Sequence, residues 1–198
     1  FRRQRQMCIR DRIDISGSSA EVTAALVTAD TLVVAGSATV TITGNPSITD
    51  LNAIAAKTSG VVTATLAADS LSNLGALSTA GTDAITITVN DAAEADVTAA
   101  NLSTLGGKTA GTVTVSNAVD IAGTAAQLTA ALVTADTLVV ASTATATISD
   151  AAETDIAATV LSAIGAKTSG AVTATNAIDI SGTTAEVTAA LVTADTLV

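Results

Sequence analysis

From Thr112 to Ser116 the chain alternates strictly, Val113 and Val115 apolar, Thr112, Thr114 and Ser116 polar. That is the period of a strand with one buried and one wet face. Similar β-rich runs recur as TLVVAGSATVTIT from Thr31, VVTAT from Val61, AITITV from Ala84, TLVVASTATATI from Thr137 and AVTAT from Ala171. Between them the apolar spacing changes. Val22, Ala25, Leu26 and Ala29 fall at helical intervals, as do Ile156, Val160, Ala163 and Ile164, which predicts short amphipathic helices. Start signals precede them. Ser18 with Glu21, Thr124 with Gln127 and Thr183 with Glu186 have capping-box spacing. Asp91 with Glu94 and Asp150 with Glu153 read as an acidic cap with a first-turn carboxylate, and Ser47 and Asp69 open two weaker units. The segments VDIA from Val119 and IDIS from Ile178 predict second short strands, with Asn117 and Asn176 at left-handed corners before them.

These elements repeat. TAALVTADTLV occurs unchanged at Thr23 to Val33, Thr129 to Val139 and Thr188 to Val198. Ile13 to Val33 differs from Ile178 to Val198 only where Ser18 and Ser19 become Thr183 and Thr184. A two-unit super-repeat of 59 residues places 91–139 onto 150–198. Copied units that cannot bury an apolar face alone are completed by their neighbours. The fold expected is therefore an α/β repeat solenoid, with parallel strands plus one short helix per coil of about 27 residues and roughly six to seven coils. Stacked at ~4.8 Å per coil, it would form a rod roughly 30 Å long. Residues 13–198 read as one such array, cut at both ends.

Composition fits a thin, regular core. Ala and Thr make up roughly two-fifths of the chain and aromatics only 1%, so no bulky rings fill irregular space. Residues 1–12, FRRQRQMCIRDR, stand apart, with five of the eight basic residues and the single Phe, Met and Cys. QMCIRDR resembles the translation of sequencing-adapter DNA, and the segment is read as a non-native leader outside the fold. From Ile13 on, Lys57, Lys108 and Lys167 face seventeen carboxylates, a net charge of −14. Such a surface repels nucleic acid, and no apolar run approaches the ~20 residues of a membrane span. Disulfides play no part in residues 13–198.

Gly107-Lys108-Thr109 invites a phosphate-loop reading, but Leu102 stands where that motif needs its first glycine. All three lysines lie in AKTSG or GKTAG, which predicts a cation at a helix C-terminus followed by a glycine exit. The carboxylates recur at repeat positions rather than as one unique pair, and there is no His, Tyr or Trp to tune an acid or hold a sugar, so the chain reads as non-enzymatic with no cofactor. Stacked Asp14, Asp120 and Asp179 are the weak metal candidates, with Ca²⁺ the ion they would suit, although EF-hand and G-G-x-G-x-D loops are absent. A Thr-x-Thr ladder drawn from Thr41, Thr63, Thr65, Thr86, Thr88, Thr112, Thr114, Thr145, Thr173 and Thr175 resembles the ice-binding faces of antifreeze solenoids and implies an alternative role in binding ice or another surface.

Ala/Thr/Val/Asp-rich units with capping boxes in long near-identical copies resemble the repeat regions of giant bacterial secreted or surface proteins of the RTX or adhesin type. The resemblance implies a structural or adhesive stalk, extracellular or at the cell surface. Its partners would be neighbouring repeats of the parent protein, with cell-surface or carbohydrate ligands taken through other domains.

Overall fold

The computed structural model describes residues 13–28, 33–137, 139–193 and 198. The leader, Ala29 of the first helical stretch, and the TAD aspartates Asp30 and Asp195 lie outside the described residues. Along the chain the elements run β1 (Asp14–Ser18), α1 (Ser19–Leu26), β2 (Thr39–Thr43), α2 (Ile48–Ala55), β3 (Val62–Thr65), α3 (Leu71–Leu74), β4 (Ala84–Val89), β5 (Asp96–Thr98) and α4 (Ala99–Gly106). They continue with β6 (Val113–Val115), β7 (Asp120–Gly123), α5 (Ala125–Leu132), β8 (Val139–Val140), β9 (Thr145–Ile148), β10 (Asp155–Ala157), α6 (Ala158–Gly165), β11 (Val172–Ala174), β12 (Asp179–Ser181) and α7 (Thr184–Leu191). Seven α-helices are thus described.

Every strand pairing among the described residues is parallel. The sheets have the orders β1-β2-β3-β4-β6-β8, β11-β9-β7-β5 and β10-β12. Register matches apolar to apolar: Ile15 faces Val40, Val40 faces Val62, Ile87 faces Val113, Val113 faces Val139, and Ile156 faces Ile180. The alternation in the sequence therefore becomes columns of buried Val and Ile beneath rows of Thr. Leu51, Ile54, Leu74, Leu102, Leu128 and Leu161 of the helices close over these columns, each fully buried. One continuous apolar core runs from Val22 to Ala190. The architecture is α/β, with parallel strands and helices in a repeat-like succession.

Three local readings are corrected. First, 91–94 and 150–153 do not begin helices. Glu94 and Glu153 instead adopt left-handed backbone at φ 64°, and their N–H groups donate to the carbonyls of Ala118 and Ala177, at 2.7 and 2.8 Å. β5 and β10 follow, and the helices start at Ala99 and Ala158. The carboxylates do cap helices, but those of the preceding unit: Asp91 Oδ2 accepts the Leu71 N–H at 2.7 Å, and Asp150 Oδ2 accepts the Ala125 N–H at 2.6 Å. An Asp serves any open helix N–H it can reach, and the neighbouring unit's is nearer. Second, Asn117 and Asn176 are not left-handed. Their side-chain amides donate to the Asp91 and Asp150 carbonyls at 2.7 and 2.6 Å, in the preceding unit. Third, the glycine that closes each lysine motif does not end a helix. The C-caps are Ala56, Gly107 and Ala166, all right-handed, while Gly60, Gly111 and Gly170 lie beyond them.

The capping boxes hold as read. At Ser18 and Thr183 the backbone N–H donates to Glu21 and Glu186, at 2.8 and 2.7 Å, and at Thr124 it donates to Gln127 at 2.9 Å. Asp69 lies one residue before the cap of α3, Ser70, and accepts from the Ser70 N–H and the Asn73 amide.

Candidate functional site

The Lys-Thr-x-Gly motif builds the most developed polar constellation. Thr109 Oγ1, buried, donates toward the Asp83 and Ile85 carbonyls at 2.9 and 2.8 Å and accepts from the N–H groups of Ile85 and Gly111, both at 2.8 Å. Thr58 and Thr168 repeat the pattern. Each donates to a carbonyl of the preceding unit, Ala38 or Ala144, and accepts the N–H of its own Gly60 or Gly170 at 3.0 or 3.1 Å. Ser59 and Ser169 add hydroxyl bonds to the Gly36 and Ser142 carbonyls, both 2.9 Å. The glycine is required by this approach. A Cβ on Gly60, Gly111 or Gly170 would sit inside van der Waals contact with the carbonyl oxygen of Ala38, Ile85 or Ala144. Sequence reasoning assigned this motif to a helix end. Its threefold recurrence is the signal from which a clip between units could have been read.

The lysines sit one residue past the helix C-caps. Lys108 Nζ reaches across to the carbonyl of Gly75, the C-cap of α3, at 2.8 Å, so its charge serves the dipole of the neighbouring helix. Asp83, buried, accepts the Val62 N–H at 2.8 Å and the Ala80 N–H at 3.0 Å.

Asp14, Asp120 and Asp179 fall on three different sheets and are not brought together. Asp14 accepts the hydroxyl of Thr39. Asp120 accepts those of Thr145 at 2.9 Å and Thr147 at 3.0 Å. Asp179 is exposed in β12, directly opposite Asp155 in register, as Asp120 is opposite Asp96. Among the described residues no three acidic, His or Cys side chains gather closely enough to hold a metal ion.

The threonines form short columns. Thr41 faces Thr63, Thr65 faces Thr86, Thr88 faces Thr114, and Thr147 faces Thr173. The columns are interrupted where Thr63 meets Ala84, Thr114 meets Val140 and Thr145 meets Asp120. Thr41, Thr63, Thr65, Thr86, Thr112 and Thr173 are exposed, whereas Thr88 and Thr114 are half-buried. Thr175 donates to the Ile148 carbonyl at 3.1 Å, so its hydroxyl is spent within the fold.

Two hollows accompany these features. One of about 790 Å³ is walled by Gly81, Gly106, Gly107, Gly111 and Thr137, with the carboxylate of Asp136 in its lining. Another of about 460 Å³ lies between α5 and α6 over Ala126, Ala130, Ile156 and Val160, with Asp150 and Asp155 at its side. Carboxylate titration is shifted at caps: Glu21 and Glu186 are lowered by the backbone and hydroxyl bonds of Ser18 and Thr183, and Asp69 by the Asn73 amide and then the Ser70 N–H. Among the described residues no helix is long and apolar enough to cross a membrane.

No protein-family model matches this chain, and no curated protein or solved structure is similar to it.

Proposed function

We propose that the chain is a stretch of stacked repeats, an α/β solenoid with coils near 27 residues, that serves as a non-enzymatic structural or adhesive stalk of a large extracellular bacterial protein. The observation that carries the reading is the use of polar side chains between units. Thr58, Thr109 and Thr168, Ser59 and Ser169, Asn117 and Asn176, and Asp91 and Asp150 each place a polar side-chain atom on the backbone of the preceding unit. A catalytic group must keep a lone pair or proton free for substrate. A spacer has the opposite requirement, and these residues meet it, because each bond stiffens the joint between neighbours. The acidic surface keeps such a rod dispersed, and the bacterial surface setting follows the resemblance of the repeats to those of RTX and adhesin proteins.

The test is length. Duplicating the 59-residue unit Asp91 to Ser149 within the chain should lengthen the particle by about 10 Å, two strand spacings, at constant cross-section. Small-angle X-ray scattering reads both quantities. A particle that swells in cross-section without lengthening overturns the reading.

A further inference from the structure

The helix layer opens between α5 and α6. From Ala99 to Ala125 and from Ala158 to Thr184 successive helix starts lie 26 residues apart, but from Ala125 to Ala158 the interval is 33. The additional residues supply β10 and the turn before it, and the hollow of about 460 Å³ lies where they separate the two helices. Its walls are small and apolar. Ala126 and Ala130 come from α5, and Ile156, Ala157 and Val160 stand opposite. Thr129 and Thr134 also line it, but their hydroxyls donate to the Ala125 and Thr129 carbonyls at 2.7 and 3.3 Å, so neither is offered to a guest. The polar groups that remain are acceptors. Asp150 spends Oδ2 on the Ala125 N–H at 2.6 Å, which leaves Oδ1. Asp155 is exposed, and its carboxylate holds no hydrogen bond among the described residues. Its carbonyl is turned the same way. The Asp179 N–H donates to the Thr154 carbonyl at 2.9 Å, so Thr154 and Ile156 direct their peptide groups to β12, and the residue between them faces the opposite side, where the groove lies.

We propose that the groove between α5 and α6 binds a small aliphatic ammonium ion. Charge complementarity defines the occupant. A primary ammonium carries three N–H donors and no acceptor, and the groove offers the Asp155 carboxylate, the Asp155 carbonyl and Asp150 Oδ1 with no cation of its own in the lining. The alkyl chain lies on Ala126, Ala130 and Val160, apolar surface that the widened interval leaves without a neighbour. Anions are turned away by the two carboxylates, and the net charge of −10 draws cations toward the surface as a whole. The site goes beyond a spacer role and does not depend on it, since it is built within one joint: scattering tests elongation, and the following experiment tests the groove alone.

The probe is n-hexylammonium chloride, titrated into the intact chain in about 0.15 M NaCl, where a screening length of about 8 Å damps diffuse attraction to the acidic surface. Amide NMR shifts should saturate at Ala126, Ala130, Asp155 and Val160. 1-Hexanol and hexanoate, with the same tail and no positive charge, should bind at least about ten-fold more weakly, the loss expected when a charged hydrogen bond is removed. Asp155→Asn should weaken n-hexylammonium by about the same factor, with unchanged melting showing that the variant folds. Ala126→Leu, at an exposed helix position, should fill the groove and abolish binding while leaving both carboxylates in place. Absence of saturable shifts, shifts spread over the other carboxylates, hexanol binding as tightly as the ammonium, or unchanged affinity in either variant overturns the proposal.

Discussion

Gly60, Gly111 and Gly170 occupy points where a side chain has no room, because the backbone of the preceding unit stands in the way. Backbone cannot rotate aside as a side chain can. Gly170→Ala should therefore cost about 3 kcal/mol, the upper range for overpacking a fixed contact. Gly36 offers a control within the same chain. An added Cβ there meets nothing within 4 Å and its φ is not positive, so Gly36→Ala should be neutral or stabilise by about 0.5 kcal/mol through the unfolded state. Urea denaturation of both variants checks the pair, and equal effects would refute the steric account. The threonine beside each such glycine works through bonds rather than volume, since its one hydroxyl serves both its own unit and the one before.

At the scale of elements, three helices share one capping design but differ in one atom type. α1 and α7 use Glu21 and Glu186, while α5 uses Gln127. Both glutamates are held below their ordinary 4.5 by hydrogen bonds to the cap, so the folded state binds those protons more weakly than the unfolded chain. Their contribution is present above pH 4.5 and is lost as the pH falls through the lowered folded value. Gln127 does not titrate. Hydrogen exchange on acidification should therefore show α1 and α7 fraying before α5, and Glu186→Gln should remove the difference for α7. Much of this level was legible in the sequence. Capping boxes and Thr/Val alternation depend on neighbours within four residues, which a local pattern contains. The misread parts depend on contacts 20 to 26 residues away. Asp91 and Asp150 looked like caps for their own helices and serve others, and Asn117 and Asn176 looked like turn formers and are donors to another unit. Of the weak metal candidates Asp14, Asp120 and Asp179, the structure shows that Asp14 and Asp120 accept threonine hydroxyls from a strand 25 residues on, a contact that no local pattern contains.

For the molecule as a whole, charge is the main unbalanced term. The chain carries −10 overall, and the register sets Asp96 opposite Asp120 and Asp155 opposite Asp179. Like charges directly across a strand pair destabilise it, and salt screens them. Raising NaCl from about 10 mM to about 0.5 M should raise the melting temperature by a few degrees, because the screening length falls from tens of ångströms to a few. At constant ionic strength, millimolar Ca²⁺ and a chelator should give the same melting temperature. A saturable rise specific to Ca²⁺ would instead report sites on the folded chain.

The contacts between units also bear on how the chain finds its fold. Thr109 reaches residues 24 and 26 positions back, Ser169 reaches 27, Asn176 reaches 26 and Asp150 reaches 25. None of these spans grows when units are added. Loop-closure entropy depends on the span being closed, not on the total length, so the last unit of a long array closes a loop no larger than the second unit of a short one. An array built this way can be extended by duplication without slowing the step that adds each new layer.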